Sequence, residues 1–151
     1  MKTIVIDGLG LIGGSLALAI KRQSPEWKIF AVDINQESLA FAKSRGFIDE
    51  GFETLDSIAS QADLILLATP VDRILSHIKL LLGMKLKNGV IVTDVGSTKQ
   101  QIMEQSKSLV HEGVTFIGGH PMSGSHKSGL RSARPDLFQK ANYFLVALMV
   151  A

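Results

Sequence analysis

Apolar positions along the chain change period from block to block. Lys2–Asp7 is a short run of β-type residues, and Leu11–Arg22 then carries apolar residues at 12, 16, 19 and 20, the spacing of one helical face. Ser24-Pro25 ends that helix, because proline disfavours helical geometry in the residue before it. Lys28–Asp33 reads as a second strand. Asn35 then caps a helix with Glu37 in its first turn, and Arg45-Gly46 closes it. Residues 47–61 are less regular, with one short helix expected near Asp56–Ser60. Asp63–Ala68 is continuously apolar, as a strand covered on both faces must be. Val71, Ile74, Leu75, Ile78, Leu81 and Leu82 fall on one helical stripe. A turn at Lys87-Asn88-Gly89 leads into a strand over Val90–Val95, a helix from Thr98 to about Glu112 and a strand over Val114–Gly118. One helical turn is expected at Asp136–Lys140, and the apolar run Tyr143–Ala151 reads as a last buried strand.

Strands separated by helices of this length predict right-handed βαβ units. The expected fold is α/β, a doubly wound, mostly parallel sheet with helices on both faces. No repeat, linker or low-complexity tract divides the chain, so residues 1–151 are expected to form one domain.

Composition narrows the function. Apolar residues make up 46% and charged residues 20%, which argues against disorder. The net charge of +2 comes from scattered Lys and Arg, so no clustered basic face points to nucleic acid. Cysteine is absent, which excludes disulfides and thiolate metal sites and is compatible with the cytoplasm; no metal site is expected. The N-terminus enters a strand without the layout of a signal peptide, and no apolar run is long enough to span a membrane.

Gly8-Leu9-Gly10-Leu11-Ile12-Gly13 is G-x-G-x-x-G, set after a predicted strand and opening a predicted helix. That context makes the pattern a dinucleotide fingerprint of the Rossmann type. Gly8 permits a tight turn, Gly10 lets the backbone approach a pyrophosphate, and Gly13 lets helix and strand pack closely. The N–H groups around Leu11 and Ile12 at the helix start, with the helix dipole, suit phosphate. Asp33, 20 residues after Gly13, stands where a carboxylate accepts hydrogen bonds from the ribose hydroxyls. It would repel a 2′-phosphate, and Ile34 and Asn35 offer no positive charge to hold one. The expected cofactor is therefore NAD rather than NADP. The bland alternative is a glycine loop beside a capping aspartate. Thr69-Pro70 ends the strand at 63–68, where ligands lie in open parallel sheets. Thr69 either lines the cofactor or caps the next helix.

Two later segments end strands on the same side. They are Asp94-Val95-Gly96-Ser97-Thr98-Lys99 and Gly118-Gly119-His120-Pro121-Met122-Ser123-Gly124-Ser125. Alcohol oxidation needs a group to take the hydroxyl proton, and histidine titrates near neutrality. His120 is the best placed of the four histidines, although spacing alone leaves a backbone-bonded turn histidine equally open. His77 is expected to be a solvent-exposed helix residue, and His111 to sit in a last helical turn with no catalytic role.

The segments GLGLIGGSLA, DVGSTK and GGHPMSGSHKSG, in this order and spacing, resemble the prephenate and arogenate dehydrogenase family of tyrosine biosynthesis, over residues 1 to about 146. The resemblance implies NAD(P)-dependent oxidation of the ring hydroxyl of prephenate, with loss of carbon dioxide to give 4-hydroxyphenylpyruvate. It implies that His120 accepts the hydroxyl proton and that Ser97 helps orient that hydroxyl and His120. Many members carry glutamate where this chain has His126. Members also continue into a helical, dimer-forming C-terminal domain that supplies an arginine for a substrate carboxylate. The chain ends at Ala151 without it, so a truncated product or fragment is the expectation, with homodimerisation left open. The alternatives are an NAD-binding module without catalysis, arogenate as substrate, or a related β-hydroxyacid dehydrogenase, which would not be expected to carry GGHPMSG.

Overall fold

The computed structural model describes residues 2–121, 129–139 and 143–147. Seven strands form one sheet in the order β3-β2-β1-β4-β5-β6-β7. They are β1 (Thr3–Asp7), β2 (Lys28–Val32), β3 (Glu50–Phe52), β4 (Leu64–Leu67), β5 (Ile91–Asp94), β6 (Thr115–Pro121) and β7 (Tyr143–Ala147). Strands β1 to β6 pair in parallel, and β7 runs antiparallel to β6. Among the described residues, four α-helices cross between strands: α1 (Leu11–Gln23), α2 (Gln36–Ser44), α3 (Val71–Leu82) and α4 (Gln100–His111). The order reverses between β1 and β4, so the crevice at the carboxyl ends of those strands is the natural ligand position.

Two hydrophobic clusters show that both faces of the sheet are covered. Val5, Ile65, Leu67 and Val92 pack with Ile74, Ile78 and Leu81 of α3 and with Ile102 and Leu109 of α4. Ile4, Ile6, Ile29 and Ala31 face the other way and pack with Ala17 of α1 and with Leu39 and Ala42 of α2. The alternation of Ile4, Val5 and Ile6 between clusters is the strand period of two acting on a continuously apolar strand. Burying each such side chain contributes roughly 1.5–3 kcal/mol.

Several sequence expectations shift. The irregular stretch 47–61 contains β3 and two short 3-10 turns, Leu55–Ser57 and Ala59–Gln61, in place of one helix at 56–60. Residues 135–139 form turns, closed by Leu137 N–H to Arg134 O and Gln139 N–H to Asp136 O, where a helical turn is expected; Lys140 lies outside the described residues. A 3-10 turn at Leu130–Ser132 packs on α1 instead, with Arg134 N–H donating to Ser15 Oγ at 3.1 Å. β6 runs on to Pro121, past the predicted end at Gly118, because β7 pairs with its final residues. Of the expected last strand, 143–147 is β7 and 148–151 lies outside the described residues.

Candidate functional site

A cleft of about 670 Å3 opens at the carboxyl ends of β1, β2 and β4. Gly8, Gly10, Asp33, Thr69 and Pro70 all line it, so the structure brings together five of the positions singled out in the sequence. Leu11 and Ile12 form the first turn of α1 beside it.

The three glycines do different work. Gly8 has φ of +109°, a conformation that L side chains rarely adopt, and its N–H donates to Val32 O at 2.8 Å. An added Cβ there would lie 2.9 Å from the Ala68 carbonyl group. At Gly13 an added Cβ would lie 2.0 Å from Gly8 O, so helix and loop touch backbone to backbone. At Gly10 an added Cβ meets no protein atom within 4 Å; the space beside it belongs to the cleft.

Gly10 is also the N-cap of α1 and offers no side-chain cap. The first N–H groups of a helix have no intrahelical acceptor, so this end is built for an anion. Asp33 is fixed from both sides: Oδ2 accepts the Leu9 N–H at 2.8 Å and Oδ1 the Asn35 N–H at 2.9 Å. Each oxygen keeps acceptor capacity for a diol at the cleft. Thr69 Oγ1 is buried with no hydrogen-bond partner. An unsatisfied buried hydroxyl costs about 1–3 kcal/mol, which a bound polar ligand would recover. Pro70 is the N-cap of α3 and no side chain caps that helix, so the capping alternative for Thr69 is not what the structure shows.

His77 corrects the sequence expectation of solvent exposure. Its side chain is 21% exposed and its Nδ1 pairs with Oδ2 of the buried Asp7, on the floor of the cleft. A carboxylate buried at the end of β1 needs a partner, and His77 on α3 faces it.

Ser97 and His120 stand further along the same edge of the sheet. Neither lines this cleft. Ser97 is exposed in the loop after β5; His120 is half-buried and lies within β6, paired in register with Phe144. Among the described residues, no hydrogen bond joins Ser97 to His120. A strand residue is held more rigidly than one in a loop, which suits a group that must meet a substrate at fixed distance. His126 lies outside the described residues; His111 sits in the last turn of α4 as expected, and is exposed there.

Asp94 and Lys99 carry no role in the sequence reading, yet the structure gives them a central place. Asp94 is fully buried and binds the Lys99 ammonium, the Gly96 N–H and the Gly119 N–H. Their five-residue separation is visible in the chain, but the contact to Gly119 depends on β5 and β6 lying side by side.

Residues 16–148 match the family model described as the nucleotide-binding domain of prephenate dehydrogenase. The chain belongs to the prephenate dehydrogenase family. It is 46% identical to a prephenate dehydrogenase of Lactococcus lactis subsp. cremoris over 146 residues, which is 96% of this chain and 41% of that relative. The crystal structure of Aquifex aeolicus prephenate dehydrogenase with hydroxyphenyl propionate and NAD+ superimposes with a TM-score of 0.86 at 32% identity, over 96% of this chain and 50% of that one. Synechocystis arogenate dehydrogenase gives a TM-score of 0.85 at 36% identity, again over 96% of this chain and 50% of that one. The chain thus spans about two-fifths of the curated relative's length and half of each solved structure. Together these establish a nucleotide-binding domain of this dehydrogenase family with a Rossmann-type fold.

Proposed function

We propose that residues 1–151 form one dinucleotide-binding domain that holds NAD and supplies the proton-accepting half of a prephenate dehydrogenase reaction. The observation that carries the reading is the arrangement of Gly10, Asp33 and Thr69. It combines an uncapped helix start, a fixed carboxylate and an orphaned buried hydroxyl on one cleft. The Aquifex relative, solved with NAD+, supports the choice of cofactor.

When bound, the dinucleotide supplies the hydride acceptor. Gly8 and Gly13 keep the loop and helix in close backbone contact, Gly10 would let the pyrophosphate approach, and the first-turn N–H groups at Leu11 and Ile12 would receive it. Asp33 receives the adenosine ribose hydroxyls and excludes a 2′-phosphate by charge. Thr69 and Pro70 form the opposite wall. His120 takes the proton of the substrate's ring hydroxyl, and Ser97 helps orient that hydroxyl. As the ring C–H bond gives up its hydride, the bond to the ring carboxylate breaks. Carbon dioxide leaves, its bonding electrons complete the aromatic ring, and the phenolate oxygen takes its proton back from His120 to give 4-hydroxyphenylpyruvate. Aromatisation provides the driving force.

Arogenate is the second reading for the substrate, favoured by the likeness to the Synechocystis enzyme. The substrate is a small molecule in either case. A homodimer belongs to the reading, supported by the exposed Leu145 and Val146 on edge strand β7. The cytoplasm is the proposed compartment, in keeping with a chain that has no cysteine. No helix of the described residues is long and apolar enough to cross a membrane.

The test is formation of reduced cofactor from NAD and prephenate by the purified chain, run beside arogenate. We expect measurable but slow turnover from residues 1–151, because they match only 41% of the length of the Lactococcus relative. His120→Asn should abolish turnover and leave NAD affinity within about twofold, since general acid–base groups contribute 10²–10⁴-fold. Turnover unchanged by His120→Asn would overturn the assignment.

A further inference from the structure

β5 ends on a carboxylate that the proposed reaction does not use. Asp94 is fully buried. Its Oδ2 accepts the Gly96 N–H at 2.8 Å and holds the Lys99 ammonium, while Oδ1 accepts the Gly119 N–H at 3.2 Å. Lys99 Nζ also donates to Gly96 O at 2.6 Å. One carboxylate therefore ties the loop bearing Ser97 to the residue before His120, 25 positions away in sequence. A buried charge is tolerated only when paired and hydrogen-bonded, and Lys99 with the two N–H groups meets that need.

A second observation places the Lys99 stem on the face of β6 that carries His120. An added Cβ at Gly118 would lie 2.7 Å from Met103 Sδ and 3.6 Å from Lys99 Cδ, so Gly118 faces α4 and the Lys99 stem. Alternation along β6 puts His120 on that same face. The elements packed there add little other charge. Apart from His120, β6 and β7 carry no titratable group save Tyr143. On α4, Glu104 and Lys107 pair with each other at the surface, and His111 is exposed at the far end. Among the described residues of these elements, Asp94 and Lys99 are the buried or part-buried charges tied to the strand that bears His120, through the Gly119 N–H.

We propose that the buried Asp94–Lys99 pair is the positioning device of the reacting centre, holding the Ser97 loop and the His120 strand at fixed spacing and giving His120 a charge-compensated neighbour. The inference rests on the reading of His120 as proton acceptor. The pair acts through His120 and Ser97 rather than on substrate or cofactor, and neither residue lines the cleft.

The experiment is an NMR titration of the His120 ring in the 13C-labelled chain, assigned by the resonance lost in His120→Asn. It is repeated in Asp94→Asn, Lys99→Met and Lys99→Arg, with NAD affinity measured for each. Asp94→Asn leaves the ammonium uncompensated, so the His120 midpoint should fall by about half a pH unit. Lys99→Met leaves the carboxylate uncompensated, so the midpoint should rise by about as much. Lys99→Arg keeps the charge and should restore the wild-type midpoint. NAD affinity should stay within about threefold throughout. Shifts of one sign in Asp94→Asn and Lys99→Met, or none in either, would overturn the proposal. So would loss of NAD binding in every variant. If Asp94→Asn does not fold, the contrast between Lys99→Met and Lys99→Arg decides alone. Absence of prephenate turnover in the wild-type chain would count against the functional reading and leave these midpoints to judge the pair.

Discussion

Gly10 and Gly13 lie three residues apart and exclude side chains for opposite reasons. A Cβ at Gly10 would enter only the cleft, whereas one at Gly13 would strike Gly8 O at 2.0 Å. Gly10→Val should therefore abolish NAD binding and leave the thermal midpoint within a few degrees of wild type. Gly13→Ala should destabilise the domain by about 1–3 kcal/mol, as overpacking at a rigid contact does. Calorimetric titration and thermal unfolding of the two variants check both outcomes; equal loss of stability would contradict the division of roles. The placement of these glycines was legible in sequence, because their spacing and their place between strand and helix carry the physics. The orphaned Thr69 hydroxyl and the buried Asp94 were not. Burial and long-range partners such as Gly119 arise only once the sheet assembles. His77 misled for the same reason: its partner Asp7 is 70 residues away.

Among the elements, α1 is fastened to β2 through Asp49. Its Oδ2 accepts from Lys21 Nζ at 2.6 Å and from the Ile29 N–H at 2.8 Å. Burial pushes the Asp49 carboxyl up, but the Lys21 hydrogen bond, the Ile29 N–H and the charges of Lys21 and Lys28 together hold it below the usual carboxylate value. A folded-state value below the unfolded one stabilises the protein above the unfolded pKa of about 3.9, and that contribution fades as pH falls through the folded value. Wild type should thus exceed Asp49→Asn in urea midpoint at pH 7, with the gap closing towards pH 3. A gap independent of pH would show that Asp49 acts by packing alone. Elements with a strong period were readable: the α3 stripe buries Ile74, Ile78 and Leu81 as drawn from spacing, and Asn35 caps α2 by accepting the Ser38 N–H at 3.1 Å. β3 was not, since Glu50-Gly51-Phe52 is too short to show alternation and becomes a strand by pairing with β2. The extension of β6 through Gly119 and His120 likewise owes nothing to propensity and follows from antiparallel pairing with β7.

At the scale of the molecule, the reversal of strand order between β1 and β4 sets the cleft beside the fingerprint loop. The parallel sheet with helices on both faces was readable from alternating strand and helix periods, whereas the antiparallel edge strand β7 was not, because an apolar run does not reveal its direction. The cleft and the segment bearing His120 occupy successive positions along one edge of that sheet. In the proposed function this edge holds NAD. Calorimetric titration of NAD and NADP into the purified chain tests it most directly. We expect saturable binding of one NAD per chain, with NADP at least tenfold weaker because the Asp33 carboxylate would repel a 2′-phosphate. No saturable NAD binding, or NADP bound as tightly as NAD, would contradict it.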